Sequence, residues 1–297
     1  MFLSELLAIS AATCIALSGM LIAELKGSVQ VLRLARWQML AALAMTGAVS
    51  LVLGGWRSVE GWQVGALALS SLFGIIIAST TYFAAIYAAG PRTTALLFSL
   101  TSPFALAAGY LWLGETITPQ QGGGVALVLA GIVLAIGLPA KTSAGGATTA
   151  ARAAIPWLGI GLGVVTALGQ ALGSLAARPA MAAGVEPFTA MAIRSSVAAL
   201  FFLALPLVPI EALKDRRKAT PRVYGLAIAS AFFGTGLGMS LLMAALVHGN
   251  VGIVSTLSSM TPVVILPMVW IRTGRPPPLT AWIGAALAVA GTALISL

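Results

Sequence analysis

Apolar residues run along this chain in long stretches, each closed by a short cluster of glycine, proline or charge. A helix needs about 20 apolar residues to cross a hydrocarbon core. Ten stretches are of that order: residues 2–23, 31–53, 62–88, 92–113, 119–138, 155–177, 187–209, 222–247, 251–271 and 279–297. The pattern predicts an all-α polytopic membrane protein with ten transmembrane helices and little chain left for a soluble domain. The longest connection, 139–154, is rich in Ala, Gly and Thr and divides the helices five and five, into halves 1–138 and 155–297.

The two halves carry a repeat. GPRTTALLFSLTSP, from Gly90, lies over GNVGIVSTLSSMTP, from Gly249, so that Ser99 and Pro103 meet Ser258 and Pro262 at one offset of 159 residues. With small gaps, Gly65 and Gly74 align with Gly225 and Gly234, Gly124 and Gly131 with Gly284 and Gly291, and Arg36 with Arg194. A five-helix unit is odd, so the chain enters the second copy from the opposite side of the membrane and the copies are inverted. Loop charge follows: Arg57 and Glu60 stand between helices two and three, whereas the matching loop holds Lys214, Arg216, Arg217, Lys218 and Arg222.

Charge then fixes an orientation. One face collects Lys26, Arg33, Arg92, Lys141, Arg152, the five basic residues from Lys214 to Arg222, Arg272 and Arg275, while the other has Arg57 and Arg178. The positive-inside rule makes the first face cytoplasmic and puts both termini outside the cell. The net charge of +9 thus belongs to loops and headgroups, and no basic patch with interleaved aromatics points to nucleic acid. The start of the chain lacks a basic n-region, so the first apolar run is expected to stay as a span.

Convergent titratable groups are scarce. Glu5, Glu24, Glu60, Glu115, Glu186, Glu211 and Asp215 fall near span ends or in loops, as does His248, so neither a catalytic constellation nor a metal or cofactor site is expected. Proton-coupled pumps commonly hold a deep carboxylate, and here Glu5 is the nearest candidate. Among in-span polar groups, Ser79, Tyr82, Ser99, Thr101, Gln170, Ser240 and Ser258 are candidates for substrate contact, as is Arg194, which sits deeper than Arg36 and needs a partner within the bundle. Pro103 and Pro262 lie near the midpoints of spans four and nine, and are expected to kink them and free a carbonyl for neighbouring hydroxyls or a wet cavity.

The segment TTYFAAIYAAGPRTTALLFSLTSPFALAAGYLWLGETIT, the following GGGVALVLAGIVLAIG and the arginine-bearing spans two and seven together resemble the drug/metabolite transporter superfamily, in its ten-span branch of two EamA-type repeats. The resemblance implies an inverted bundle around a cavity lined by spans one, three, four, six, eight and nine, alternately open to each face. It also implies export or exchange of small metabolites, amino acids among them, and in many members cytoplasmic termini, against the loop charges here. The expectation is a secondary transporter in a bacterial inner membrane, a monomer or homodimer, carrying a small polar solute with an amino acid first among the candidates. The rivals are a proton-coupled exporter of drugs or cations and a non-transporting membrane subunit; a membrane enzyme ranks last.

Overall fold

Helix caps set where the spans begin and end. A computed structural model describes residues 2–113, 116–137, 156–205, 219–248, 257 and 260–296, and among these there is no strand. Helix α1 spans Phe2–Glu24. Helix α2, Val31–Leu53, is closed by Gly54 at φ 73°, whose N–H donates to the Ser50 carbonyl. Helix α3, Gly61–Ser71, opens on a capping box in which Gln63 accepts from the Glu60 N–H at 2.8 Å. It continues through a π-helical turn, Leu72–Ile77, into α4, Ala78–Phe98.

Within α4 Gly90 leaves helical dihedrals at φ 82°, ψ 163°, so α4 is two helices joined at a kink, where the apolar pattern places the end of the third span. Helices α5, Thr101–Leu113, and α6, Pro119–Gly137, complete the first half. In the second half come α7, Trp157–Ala182, and α8, Pro187–Ala204, whose first N–H groups, of Phe188 and Thr189, donate to the Glu186 carboxylate. Helix α9, Pro221–Ala231, runs through a second π turn, Phe232–Gly238, into α10, Met239–His248. Helices α11, Thr261–Thr273, and α12, Leu279–Ser296, follow. Eight helical runs of described residues are long and apolar enough to cross a bilayer, one of them the 38 residues of Gly61–Phe98, and Thr261–Thr273 is a shorter apolar helix. The outer surface carries Leu51, Val52, Leu111, Leu158 and Ile271, as a lipid-facing surface does. Trp56, Trp62, Trp112, Trp157 and Trp270 stand exposed near helix ends, as in the aromatic belts of membrane proteins.

Pro103 and Pro262 both stand in the first turn of a helix. Helix α4 ends at Phe98, before Pro103, which stands in the first turn of α5, and Pro262 is the second residue of α11. A proline has no N–H to close the turn before it, and the span of Pro103 is interrupted at Ser99 and Leu100, within the four residues ahead of the ring. The break at Ser99 and Leu100 precedes the proline, and the Phe104 N–H returns to the Leu100 carbonyl at 3.0 Å.

Packing follows the repeat. Helix α1 lies against α9, the second π turn, α10 and α11, while α7 lies against α3, the first π turn, α4 and α5. The remaining large contacts join α2 to α8 and α6 to α12. Gly124 meets Gly291 and Gly131 meets Gly284, each pair so close that a Cβ on any of the four would lie within 2.6 Å of a backbone oxygen opposite. The start of α6 therefore faces the end of α12, and cognate helices run antiparallel. Late α2 meets early α8 in the same sense: the Ser50 and Thr189 hydroxyls are 2.7 Å apart. Antiparallel cognate helices are the signature of an inverted repeat.

Candidate functional site: a central polar cavity

The two π turns hold matching places in the halves, since the 160-residue offset that joins Gly74 to Gly234 also joins Leu72 to Phe232. A π turn inserts a residue into the helical ladder and turns the following side chains, and it is frequent at functional sites. Both turns border one cavity of about 80 Å³. Ile15 and Ser18 of α1, Gln38 of α2, Thr166 and Gln170 of α7, and Gly234, Thr235 and Met239 of the second half all contribute to its wall. Gly74, Ile75, Ser79 and Tyr82 complete the opposite side. That space holds roughly five to eight waters, at ~10–15 Å³ each, so cargo larger than that needs the helices to part.

Polar groups in this wall divide into bonded and open ones. Ser18 Oγ donates to the Ser230 carbonyl at 2.7 Å and Gln38 Nε2 to Ser230 Oγ at 2.7 Å, tying α1 and α2 to α9. Thr166 Oγ1 stands 2.8 Å from Thr81 Oγ1, joining α7 to α4. By contrast Ser79, Tyr82 and Gln170 make no side-chain hydrogen bond among the described residues. The Tyr82 ring is held edge-on by Phe83 and Phe98, with centroids 6.1 Å away in each case, and its hydroxyl faces Gly19 of α1, where a Cβ would come within 2.9 Å.

The other candidates are placed apart from the cavity wall. Ser99 and Ser240 are buried with hydroxyls that lack a partner among the described residues, and Thr101 Oγ1 donates to the Phe98 carbonyl at 2.7 Å, closing the end of α4. Pro262 borders a small crevice with Arg92 and Thr93. Ser258 and Glu115, and the side chains of Glu5 and His248, lie outside the described residues. Arg36 is half-buried near the α2 start, whereas its repeat partner Arg194 is 1% exposed. Arg194 Nη1 donates to Met191 Sδ at 3.5 Å, and Nε and Nη2 have no partner among the described residues.

Sequence reasoning missed Ser18, Gln38, Thr166 and Thr235. The repeat contained a usable signal for the last of these. Under the offset that pairs Gly74 with Gly234, Ser79 pairs with Met239 and Ile75 with Thr235, and all six border the cavity.

The three described carboxylate side chains stand away from the wall. Glu24 pairs with Arg272 at 2.7 Å, Glu60 accepts from Trp62 Nε1 at 2.6 Å, and Glu186 caps α8. Among the described residues no three His, Cys, Asp or Glu side chains gather as metal ligands would.

Comparison with known proteins agrees with this architecture. The model of the EamA-like transporter family matches residues 2–137 and 157–297. No curated protein matches the chain by sequence. A solved crystal structure that is 19% identical superposes with a TM-score of 0.66, over 98% of this chain and 94% of the other, a likeness of fold.

Proposed function

We propose, from the premise that the chain belongs to the EamA-like transporter family and so moves small solutes across a membrane, that it exports or exchanges a small polar metabolite by alternating access. An amino acid is the first candidate cargo. The observation that carries this reading is the cavity between the two halves, into which Ser79, Tyr82 and Gln170 bring polar groups with no hydrogen-bond partner among the described residues. A purely structural subunit gains nothing by leaving an amide and a phenol unbonded in its centre, because buried polar groups cost stability until they are satisfied. Contributions from both halves suit a mechanism in which one half rocks against the other.

The setting is a bacterial inner membrane with the basic loops inside and both termini outside, as loop charge argues. A C-terminal reporter active only outside the cytoplasm is the expected result; a cytoplasmic reporter signal reverses the orientation. Proteoliposomes preloaded with labelled amino acids should release or exchange at least one of them faster than empty-protein controls. Movement of a different solute with no amino acid carried overturns the cargo assignment. Movement accelerated by a proton gradient, together with its loss in Glu5→Gln, favours the proton-coupled exporter instead.

A further inference from the structure

Arg194 stands among the largest fully buried side chains of the described residues, and no described side chain balances its charge. The guanidinium fills the space a side chain at position 74 would occupy: a Cβ on Gly74 would lie 2.7 Å from Nη2, 3.2 Å from the Gly173 Cα and 3.8 Å from Gln170 Oε1. Arg194 Nη2 and the Gln170 amide therefore converge on one point of the first π turn, and Gly74, Gln170 and Met191 all border the cavity. The arginine stands directly behind the cavity wall, separated from it by a residue without a side chain.

Its backbone is pinned there, because the Ser71 hydroxyl donates to the Arg194 carbonyl at 2.6 Å. The three carboxylates whose side chains are described, Glu24, Glu60 and Glu186, are engaged at helix ends. A buried guanidinium whose charge meets only a thioether is costly in a membrane interior, and such residues persist where they pair with an ion pathway or a substrate. Guanidinium offers a planar fork that fits a carboxylate in two parallel hydrogen bonds. The free donors here are Nε and Nη2, one edge of that fork.

We propose that the cargo carries a carboxylate and that Arg194 is its counter-charge, reached through the gap at Gly74, with the Gln170 side chain of α7 beside it. This deepens the transport reading above and rests on it. Cargo binding would neutralise the one charge held in the middle of the described bundle, so binding energy is available to part the helices around the first π turn.

The test uses purified full-length protein and matched probes: the common amino acids, their carboxamides, short aliphatic monocarboxylates and simple alkylamines. Thermal stabilisation and equilibrium binding should show at least one carboxylate that binds while its amide does not. Arg194→Gln should weaken that binding at least about 30-fold, as for truncating one side of a buried charge pair. Its unliganded melting temperature should hold or rise, and Arg194→Lys should keep part of the affinity. An amide that binds as well as its acid, an Arg194→Gln protein of unchanged affinity, or a wild type that binds no carboxylate overturns the inference. Should Arg194→Gln not fold, the acid and amide comparison in the wild type decides alone. Transport of a neutral or cationic solute without carboxylate binding removes this inference and keeps the transport reading, whereas no movement of any probe in proteoliposomes removes the transport reading itself.

Discussion

Tyr82 and Gln170 share a cavity wall with Gln38, yet only Gln38 is committed to the protein, through Ser230. Substitutions should separate the two kinds of group. Tyr82→Phe and Gln170→Leu are expected to leave the melting temperature in detergent unchanged or higher and to weaken cargo binding about 2- to 10-fold each, the net worth of one hydrogen bond. Ser230→Ala removes the acceptor of the Gln38 amide and should lower stability by about 1–3 kcal/mol, read as an earlier thermal transition. Ser99 and Ser240 hold buried hydroxyls without a partner among the described residues, so Ser240→Ala should be neutral or stabilising in the same assay. Residue type alone told which side chains were expensive to bury. It did not tell which of them the fold would satisfy, since Ser230 lies 192 residues from Gln38.

Among elements, the helices were legible and their interruptions were not. Apolar run length names a span wherever it occurs, whereas the π turns at Leu72–Ile77 and Phe232–Gly238 leave no mark in the local pattern. Tertiary approach rationalises the first one: Gly173 packs so closely on it that a Cβ there would lie 2.5 Å from the Gly74 Cα. Proline in the first turn of a helix and proline in its middle look alike in a continuous apolar run, so the sequence did not show that one helix ends at Phe98 and another begins at Thr101. The kink at Gly90 offers a clean test. Its dihedrals belong to a region that side chains scarcely enter, and a Cβ there would meet nothing within 4 Å, so Gly90→Ala measures backbone strain alone. A loss of about 1–3 kcal/mol is expected, against no loss for Gly65→Ala, which is equally open and helical.

At the scale of the whole molecule, inversion is written in which residues touch. Exchanging the halves carries the contact of Gly124 with Gly291 onto the contact of Gly284 with Gly131. Gly131→Val should therefore be overpacked by about 1–3 kcal/mol or more, lowering the melting temperature, because the obstruction is backbone and cannot swing aside. A pair of cysteines at positions 50 and 189, in a Cys14→Ser background with a protease site inserted between 139 and 154, should oxidise and hold the cleaved halves together until reduced. Halves that separate on a non-reducing gel argue against the α2 and α8 packing.

The sequence by itself determined the class of the protein, the division into two halves and their opposite sense, because apolar length, odd helix number and loop charge are properties of the chain that no packing can undo. It also singled out Arg194, Tyr82 and Gln170 as groups too large and too polar to ignore. Only the tertiary structure decided that Tyr82 and Gln170 face one cavity, that Arg194 stands behind it at Gly74, and that Ser99, Thr101 and Ser240 are turned elsewhere. The physical reason is rotational: one residue inserted into a helix at a π turn re-aims every side chain beyond it, so a contact face cannot be read by extending the helical period across that turn.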